Sequence, residues 1–114
     1  MNTIDSEIDI IEIQETMIKY LSEFNNNIKS IYLFGSRARN EANPDSDFDF
    51  FIILNDNKSF QEKRRISKEI RNYLISKNII ISMDLVIKNL DNWAWESENY
   101  GYLAYTVKNE GILL

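Results

Sequence analysis

Apolar residues along the chain follow two different periods, and the period alternates from one segment to the next. Five apolar residues between positions 10 and 24 recur at helical spacing, which predicts a first helix from about Ser6 to Phe24. The segments IKSIYLF, which ends at Gly35, and DFDFFIIL predict two buried strands. A third strand is predicted for IIISMDLVIK, which follows a charged segment with helical features.

Polar residues at the ends of these segments refine the predicted boundaries. The sequence SFQE at Ser59–Glu62 is typical of a capping box, so a helix is predicted from there to about Lys77. The segment SRARNEA is expected to open a short helix. Asp91 is expected to cap a last helix, over about 92–109, which Gly111 stops.

The alternation of helices and strands predicts the fold class. The predicted order is α-β-(α)-β-α-β-α, which favours an α/β (α+β) fold with a small mixed β-sheet flanked by helices. At 114 residues the chain is long enough for one hydrophobic core and too short for two. We therefore expect a single domain over residues 1–114.

Composition narrows the chemistry that the chain can perform. The sequence contains no cysteine and no histidine, which excludes thiolate and imidazole metal ligands and Ser-His-Asp catalysis. Any metal must be held by oxygen, which favours Mg²⁺ or Mn²⁺. The net charge of −5 argues against nucleic acid as a direct partner, and no apolar run is long enough to span a membrane. These features predict a cytoplasmic protein.

Three polar features are candidates for one shared site. Gly35-Ser36 lies between a strand and a predicted helix, where backbone N–H groups favour phosphate. Asp47 and Asp49 share one face of the second strand because side chains alternate along a strand. Aspartate is disfavoured in an apolar strand, so Asp84 is unusual in the third strand. If this strand lies beside the second, Asp84 faces the same site as Asp47 and Asp49. Each feature alone has a plainer explanation, as a turn, a half-exposed strand or a solvent-facing residue.

Together these residues suit a two-metal displacement at phosphorus. Two carboxylates and a third from a neighbouring strand can bridge two Mg²⁺ ions about 3.5–4 Å apart. One ion would activate an attacking hydroxyl, and the other would hold the triphosphate and stabilise the leaving pyrophosphate. Positioning and charge neutralisation supply most of the catalysis in such a reaction.

The stretch GSRARNEANPDSDFD resembles the nucleotidyltransferase signature of Gly-Ser, ten residues and Asp-x-Asp. It is similar to that of the minimal nucleotidyltransferases, in the DNA polymerase β-like superfamily, and the resemblance covers nearly the whole chain. It implies a polymerase β-like fold, ATP as substrate, nucleotide binding by Gly35, Ser36 and Arg39, and catalysis and metal binding by Asp47, Asp49 and Asp84. Two loop positions depart from the family pattern, since Asn40 is often Gly and Asn43 is often Arg.

The same resemblance implies a partner and a role. Minimal nucleotidyltransferases are commonly paired with a HEPN-domain toxin, and some transfer AMP to a tyrosine of that toxin. The leading hypothesis is therefore a metal-dependent protein adenylyltransferase that acts as an antitoxin. Two alternatives stay open: a non-catalytic antitoxin that neutralises its partner by forming a complex, and the catalytic subunit of a small-molecule nucleotidyltransferase.

Two further segments are open to two interpretations each. The segment from Lys58 to Arg71 carries six cations, which form either a basic patch or, more simply, a solvated helix face paired with Glu62 and Glu69. In the last helix, one set of residues is expected to face inward: Trp93, Tyr100, Leu103, Ala104 and Val107. A second set either docks a partner or covers the sheet edge: Trp95, Tyr102 and Tyr105.

Overall fold

The computed structural model describes residues 6–114, and their side chains from residue 10 onward. Within that range the helices and strands follow the order α1 (Ser6–Glu23), β1 (Ile28–Phe34), β2 (Phe48–Leu54), α2 (Phe60–Ser76), β3 (Met83–Asn89), α3 (Leu90–Glu96), α4 (Leu103–Glu110) and β4 (Ile112–Leu113). A single 3₁₀ turn, Gly35–Arg37, follows β1. The bounds of α1, β1, β2 and α2 confirm the predictions to within one or two residues.

The strands of residues 6–114 form one mixed sheet in the order β3-β2-β1-β4. Strand β1 is antiparallel to both β2 and β4, whereas β3 runs parallel to β2. Helix α2 lies between the parallel strands in the chain, because a parallel pair needs a crossover connection. This architecture confirms the predicted fold class of a small mixed β-sheet flanked by helices.

Strand β2 lies inside the sheet and buries side chains on both of its faces. Phe50 and Ile52 belong to the large core that α1 and α2 form with the sheet. Phe51 and Ile53 point to the opposite face, where they pack against residues of α4. Successive side chains of β2 point to opposite faces, and both of these faces are buried. Asp49 is the one residue of β2 that is not fully buried.

Helix α2 shows how local sequence sets the start and the orientation of an element. The Ser59 hydroxyl accepts a hydrogen bond from the Glu62 N–H group at 3.1 Å, and the Glu62 carboxylate accepts one from the Ser59 N–H group at 2.9 Å. This reciprocal pair confirms the predicted capping box. Ile66, Ile70 and Leu74, which are spaced by four, turn one face of the helix towards the core.

The predicted last helix is in fact two helices. The segment 97–102 separates α3 from α4, and Gly101 within it has a φ angle of +101°. This conformation interrupts a helix and is readily adopted by glycine. Asn89, rather than Asp91, precedes the first turn of α3, whereas Gly111 follows α4 as predicted.

The break at residues 97–102 changes which aromatic side chains are buried. Ala104 and Val107 are buried as predicted, but Tyr100 is 89% exposed and Leu103 is 45% exposed. The prediction that Tyr100 and Leu103 face inward was therefore wrong, because one continuous helical period does not run through the break. Trp95 is exposed and its ring pairs edge-to-face with another exposed aromatic, that of Tyr102, at 5.2 Å. Their role as a docking surface stays a prediction.

Strand β3 is shorter than the sequence predicted. It begins at Met83, and the preceding Ile79 and Ile81 pack against the core without belonging to the strand. Their apolar character therefore reflects burial rather than strand pairing. No helix within residues 6–114 is both long enough and apolar enough to cross a membrane.

Candidate active site

The turn at Gly35 and the carboxylate of Asp49 are in direct contact. Gly35 has a φ angle of +76°, a left-handed value that favours glycine. A Cβ atom at this position would overlap the Asp49 carboxylate. The contact arises because Phe34, just before the turn, is the partner of Asp49 in the antiparallel pair of β1 and β2. The Gly-Ser turn and the acidic strand that the sequence singled out therefore meet.

Asp84 lies beside Asp49 in the sheet. The two residues are partners in the parallel register of β2 and β3. Burial raises the pKa of Asp49, and the charges of Asp84 and Asp47 raise it further. Asp49 is half-buried, whereas Asp47 and Asp84 are exposed. The fold thus brings the three predicted carboxylates into one neighbourhood.

The chemistry of this cluster suits a hard divalent cation. Its side chains offer carboxylate oxygens, which Mg²⁺ and Mn²⁺ prefer. A cation would also relieve the repulsion that raises the pKa of Asp49. Among the described residues, no three acidic side chains already stand in an arrangement that could hold one ion. The role of the three aspartates as metal ligands therefore stays a prediction.

The segment expected to open a short helix forms only one 3₁₀ turn. It spans Gly35–Arg37, and the N–H groups of Ala38 and Arg39 bond to the Gly35 carbonyl at 3.1 and 3.2 Å. One turn has little of the macrodipole that a longer helix carries. A phosphate at Ser36 would therefore depend on individual N–H groups and the hydroxyl, and not on a helix dipole.

Arg39 lies at the border of the acidic cluster and already has a partner. Its Nε atom donates to Oε1 of Glu41 at 2.9 Å, and both side chains are exposed. The Glu41 carboxylate raises the pKa of Arg39, and Glu110 and Asp49 act in the same direction. Because an exposed ion pair contributes little stability, Arg39 can exchange Glu41 for a phosphate at small cost.

Arg37 anchors the far end of the loop that carries Asp47. Its Nη2 and Nε atoms donate to the Ser46 carbonyl at 2.8 and 3.2 Å, and its guanidinium lies 3.9 Å from the centre of the Phe48 ring. Asp47 stands between these two anchored residues, so Arg37 limits the positions that its carboxylate can take. Sequence analysis missed this contact because no local spacing relates Arg37 to Ser46.

The two departures from the family pattern fit the observed loop. Asn40 has a φ angle of +60°, a left-handed value that asparagine tolerates better than most residues. Oδ1 of Asn43 accepts the Asp45 N–H group at 2.8 Å, and the Asn43 N–H group bonds to Oγ of Ser46 at 3.0 Å. Both asparagines therefore support a tight loop between the Gly-Ser turn and the aspartates.

Comparison with known proteins agrees with this geometry. The polymerase beta nucleotidyltransferase family matches residues 15–114. The chain belongs to this family. The predicted resemblance to nucleotidyltransferases, and the enzyme class that it implied, are therefore confirmed.

One relative and two solved structures extend the comparison. A Methanocaldococcus jannaschii protein named "putative protein adenylyltransferase" is 31% identical over 96 residues, which are 82% of this chain and 97% of that protein. A crystal structure of a toxin–antitoxin with AMP-PNP has a TM-score of 0.54 and 21% identity, over 87% of this chain and 69% of that chain. A crystal structure of a mutant of the toxin–antitoxin MntA-HpeT has a TM-score of 0.51 and 21% identity, over 89% of this chain and 69% of that chain. These two structures confirm the fold of this nucleotidyltransferase.

Proposed function

We propose that this nucleotidyltransferase transfers AMP from ATP to a hydroxyl of a HEPN-domain toxin, with a tyrosine as the expected acceptor, and thereby acts as an antitoxin. The observation that carries the proposal is the meeting of the Gly35 turn, Asp84 and the Asp47 loop at the carboxylate of Asp49. The name of the M. jannaschii relative supports AMP as the transferred group. The toxin–antitoxin complexes among the structural relatives support a toxin as the acceptor.

Each residue of the site would take one role in the transfer. Mg²⁺, as two ions, or Mn²⁺ in its place, would be held by Asp47, Asp49 and Asp84. Bound metal would neutralise charge on the triphosphate and favour ionisation of the acceptor hydroxyl. Ser36 and Arg39 would bind the distal phosphates, while Gly35 lets the backbone of the turn approach them closely.

The charge of the cluster makes nucleotide binding depend on metal. Asp84 and Asp47 already repel Asp49, and a triphosphate would add further negative charge to the same place. A divalent cation between them replaces this repulsion with attraction. Calorimetric titration with AMP-PNP should therefore show binding in Mg²⁺ and much weaker binding in EDTA.

Growth of cells that co-express the toxin distinguishes this proposal from the alternative of a non-catalytic antitoxin that neutralises the toxin by forming a complex. The parent protein should restore growth. Asp49→Asn keeps the size of the side chain and removes its charge, so it should still co-purify with the toxin but fail to protect the cells. If this variant protects as well as the parent, neutralisation comes from complex formation alone, and the enzymatic antitoxin is overturned.

A further inference from the structure

A groove of about 850 Å³ lies between helix α2 and strand β3. Six cationic side chains line it: Lys63, Arg64, Arg65, Lys68, Arg71 and Lys88. The whole chain carries a net charge of −5, so this positive surface is a local feature of an acidic protein. The proposed transfer reaction assigns no role to these six residues.

The glutamates expected to neutralise this face of α2 are engaged elsewhere. Glu62 belongs to the capping box at the start of the helix, and Glu69 accepts a hydrogen bond from the Tyr20 hydroxyl at 2.5 Å. Among residues 10–114, Lys88 is the one groove cation in an ion pair, with Glu96 at 3.1 Å. The pairing expected along α2 was therefore wrong, and five groove cations have no carboxylate partner in that range.

Strand β3 adds a backbone edge to this groove, of which the Met83 carbonyl accepts a hydrogen bond from Nη2 of Arg71 at 3.3 Å. It is the outermost strand of the sheet beside β2, and its residues Leu85, Val86 and Ile87 line the groove. An edge strand presents backbone N–H and C=O groups with which a further strand can pair. On the opposite wall, Phe60 is 69% exposed and adds an apolar surface next to the cations.

The groove adjoins the candidate active site. Leu85 directly follows Asp84 in β3. Lys88 lies four residues beyond Asp84, which corresponds to about 13 Å along a strand. A segment paired with the edge of β3 would therefore extend from the groove cations to the catalytic carboxylates.

We infer that this groove binds an extended acidic segment of the acceptor protein as an added strand of the sheet. The carboxylates of the segment would pair with the groove cations, and its backbone would pair with β3. The inference rests on the proposed function for the identity of the acceptor. The edge of a strand can form backbone hydrogen bonds with a peptide, whereas a nucleic acid has no peptide groups that could pair with it.

Fluorescence anisotropy with a labelled peptide of alternating Asp and Val tests the groove without ATP or toxin. The parent should bind this peptide saturably and should not bind the matched peptide of alternating Lys and Val. Combining Arg64→Glu with Lys68→Glu should weaken binding at least about tenfold, because the reversed charges repel the peptide. Glutamate is a good helix former, so α2 should persist.

A matched control changes the net charge equally outside the groove. Lys19→Glu combined with Lys29→Glu alters two exposed lysines on α1 and β1. Because the screening length is about 10 Å at 0.1 M salt, this pair should leave the affinity for the acidic peptide nearly unchanged. Equal losses in the two double variants would overturn the groove as the binding site.

Two further probes separate strand pairing from attraction by charge alone. An acidic peptide with Pro in place of Val lacks half of the backbone donors, so it should bind at least about tenfold more weakly. Equal binding of the proline peptide, or tighter binding of a single-stranded oligouridylate of equal charge, would overturn the inference. The peptide test requires neither ATP nor the toxin, so failure of the proposed transfer reaction leaves it intact.

Discussion

The two faces of strand β2 differ in what they carry. On one face, Phe50 and Ile52 are completely buried against α1 and α2. The other face carries the buried Phe51 and Ile53 and, at its start, the half-buried Asp49. The apolar side chains of both faces stabilise the fold by leaving water. Asp49 does the opposite, because burial and the neighbouring carboxylates raise its pKa and so destabilise its ionised form. Adjacent positions of one strand thus make opposite contributions to stability.

The contrast separates the side chains of β2 that stabilise the fold from Asp49, which we propose serves the reaction. An uncharged amide would fit the place of Asp49 without the repulsion from Asp84 and Asp47. The packing around Asp49 therefore does not explain its carboxylate, and the role of this carboxylate as a metal ligand stays a prediction. Variants on the two faces should accordingly separate the loss of activity from the loss of stability.

The largest expected effect is the loss of transfer in Asp49→Asn. Removing this charge should lower the rate at least about 100-fold, the scale on which charge-stabilising groups contribute to catalysis. Stability should not fall. Since the folded-state pKa of Asp49 is raised, the folded protein loses stability as the pH rises through that pKa, and asparagine avoids this loss. Thermal unfolding in EDTA at neutral pH checks this, and a clearly less stable variant would assign Asp49 a structural role.

The second largest effect concerns two of the three buried phenylalanines of β2, Phe50 and Phe51. Phe50→Ala should lower the free energy of unfolding by about 3–5 kcal/mol, because it leaves a cavity in the larger core. Phe51→Ala should cost less, since Phe51 packs against the half-buried Trp93, which can move into the space. Urea unfolding of both variants measures the difference. A larger loss in Phe51→Ala would contradict this view of the two faces.

A third effect separates backbone strain from contact with the carboxylate. Gly35 and Gly101 both have positive φ angles, but a Cβ atom would meet Asp49 only at Gly35. Alanine should destabilise the fold by about 1–2 kcal/mol at either position, whereas only Gly35→Ala should also displace Asp49 and reduce transfer. Thermal unfolding and transfer assays on both variants test this. An equal loss of transfer in Gly101→Ala would show that strain alone is responsible.

The smallest effect concerns the exposed pair at the border of the site. Arg39→Ala should weaken AMP-PNP binding about tenfold, the equivalent of one charge-assisted hydrogen bond, with almost no change in thermal stability. Ser36→Ala should act in the same direction. Glu41→Ala frees Arg39 from its present partner, so its affinity should equal or exceed that of the parent. Normal AMP-PNP binding by both Arg39→Ala and Ser36→Ala in calorimetric titrations would refute the assignment of phosphate binding.

Features that depend on neighbouring residues could be predicted from the sequence. The capping box at Ser59 and the alternation around Asp49 involve positions within four residues of each other. The approach of Asp84 to Asp49 was predicted on the condition that β3 lies beside β2, which the parallel register fulfils. The roles of these residues in binding metal and nucleotide stay predictions.

Features that depend on distant partners could not be predicted. Tyr20 lies 49 positions from Glu69. The local sequence therefore could not show that Glu69 bonds to Tyr20 and not to a cation of α2. The break near Gly101 was missed because apolar residues continue at helical spacing on both sides of it. The contact of Arg37 with Ser46 likewise exists only once the loop has closed.

The intact mass of the candidate toxin, after incubation with this protein, Mg²⁺ and ATP, tests most directly whether the carboxylate face of β2 performs nucleotidyl transfer. The account predicts that the toxin gains the mass of one or more AMP groups with the parent protein. It predicts no gain with Asp49→Asn, and none with the parent in EDTA. An unchanged toxin mass with the folded parent, or a gain that persists with Asp49→Asn or in EDTA, would contradict it.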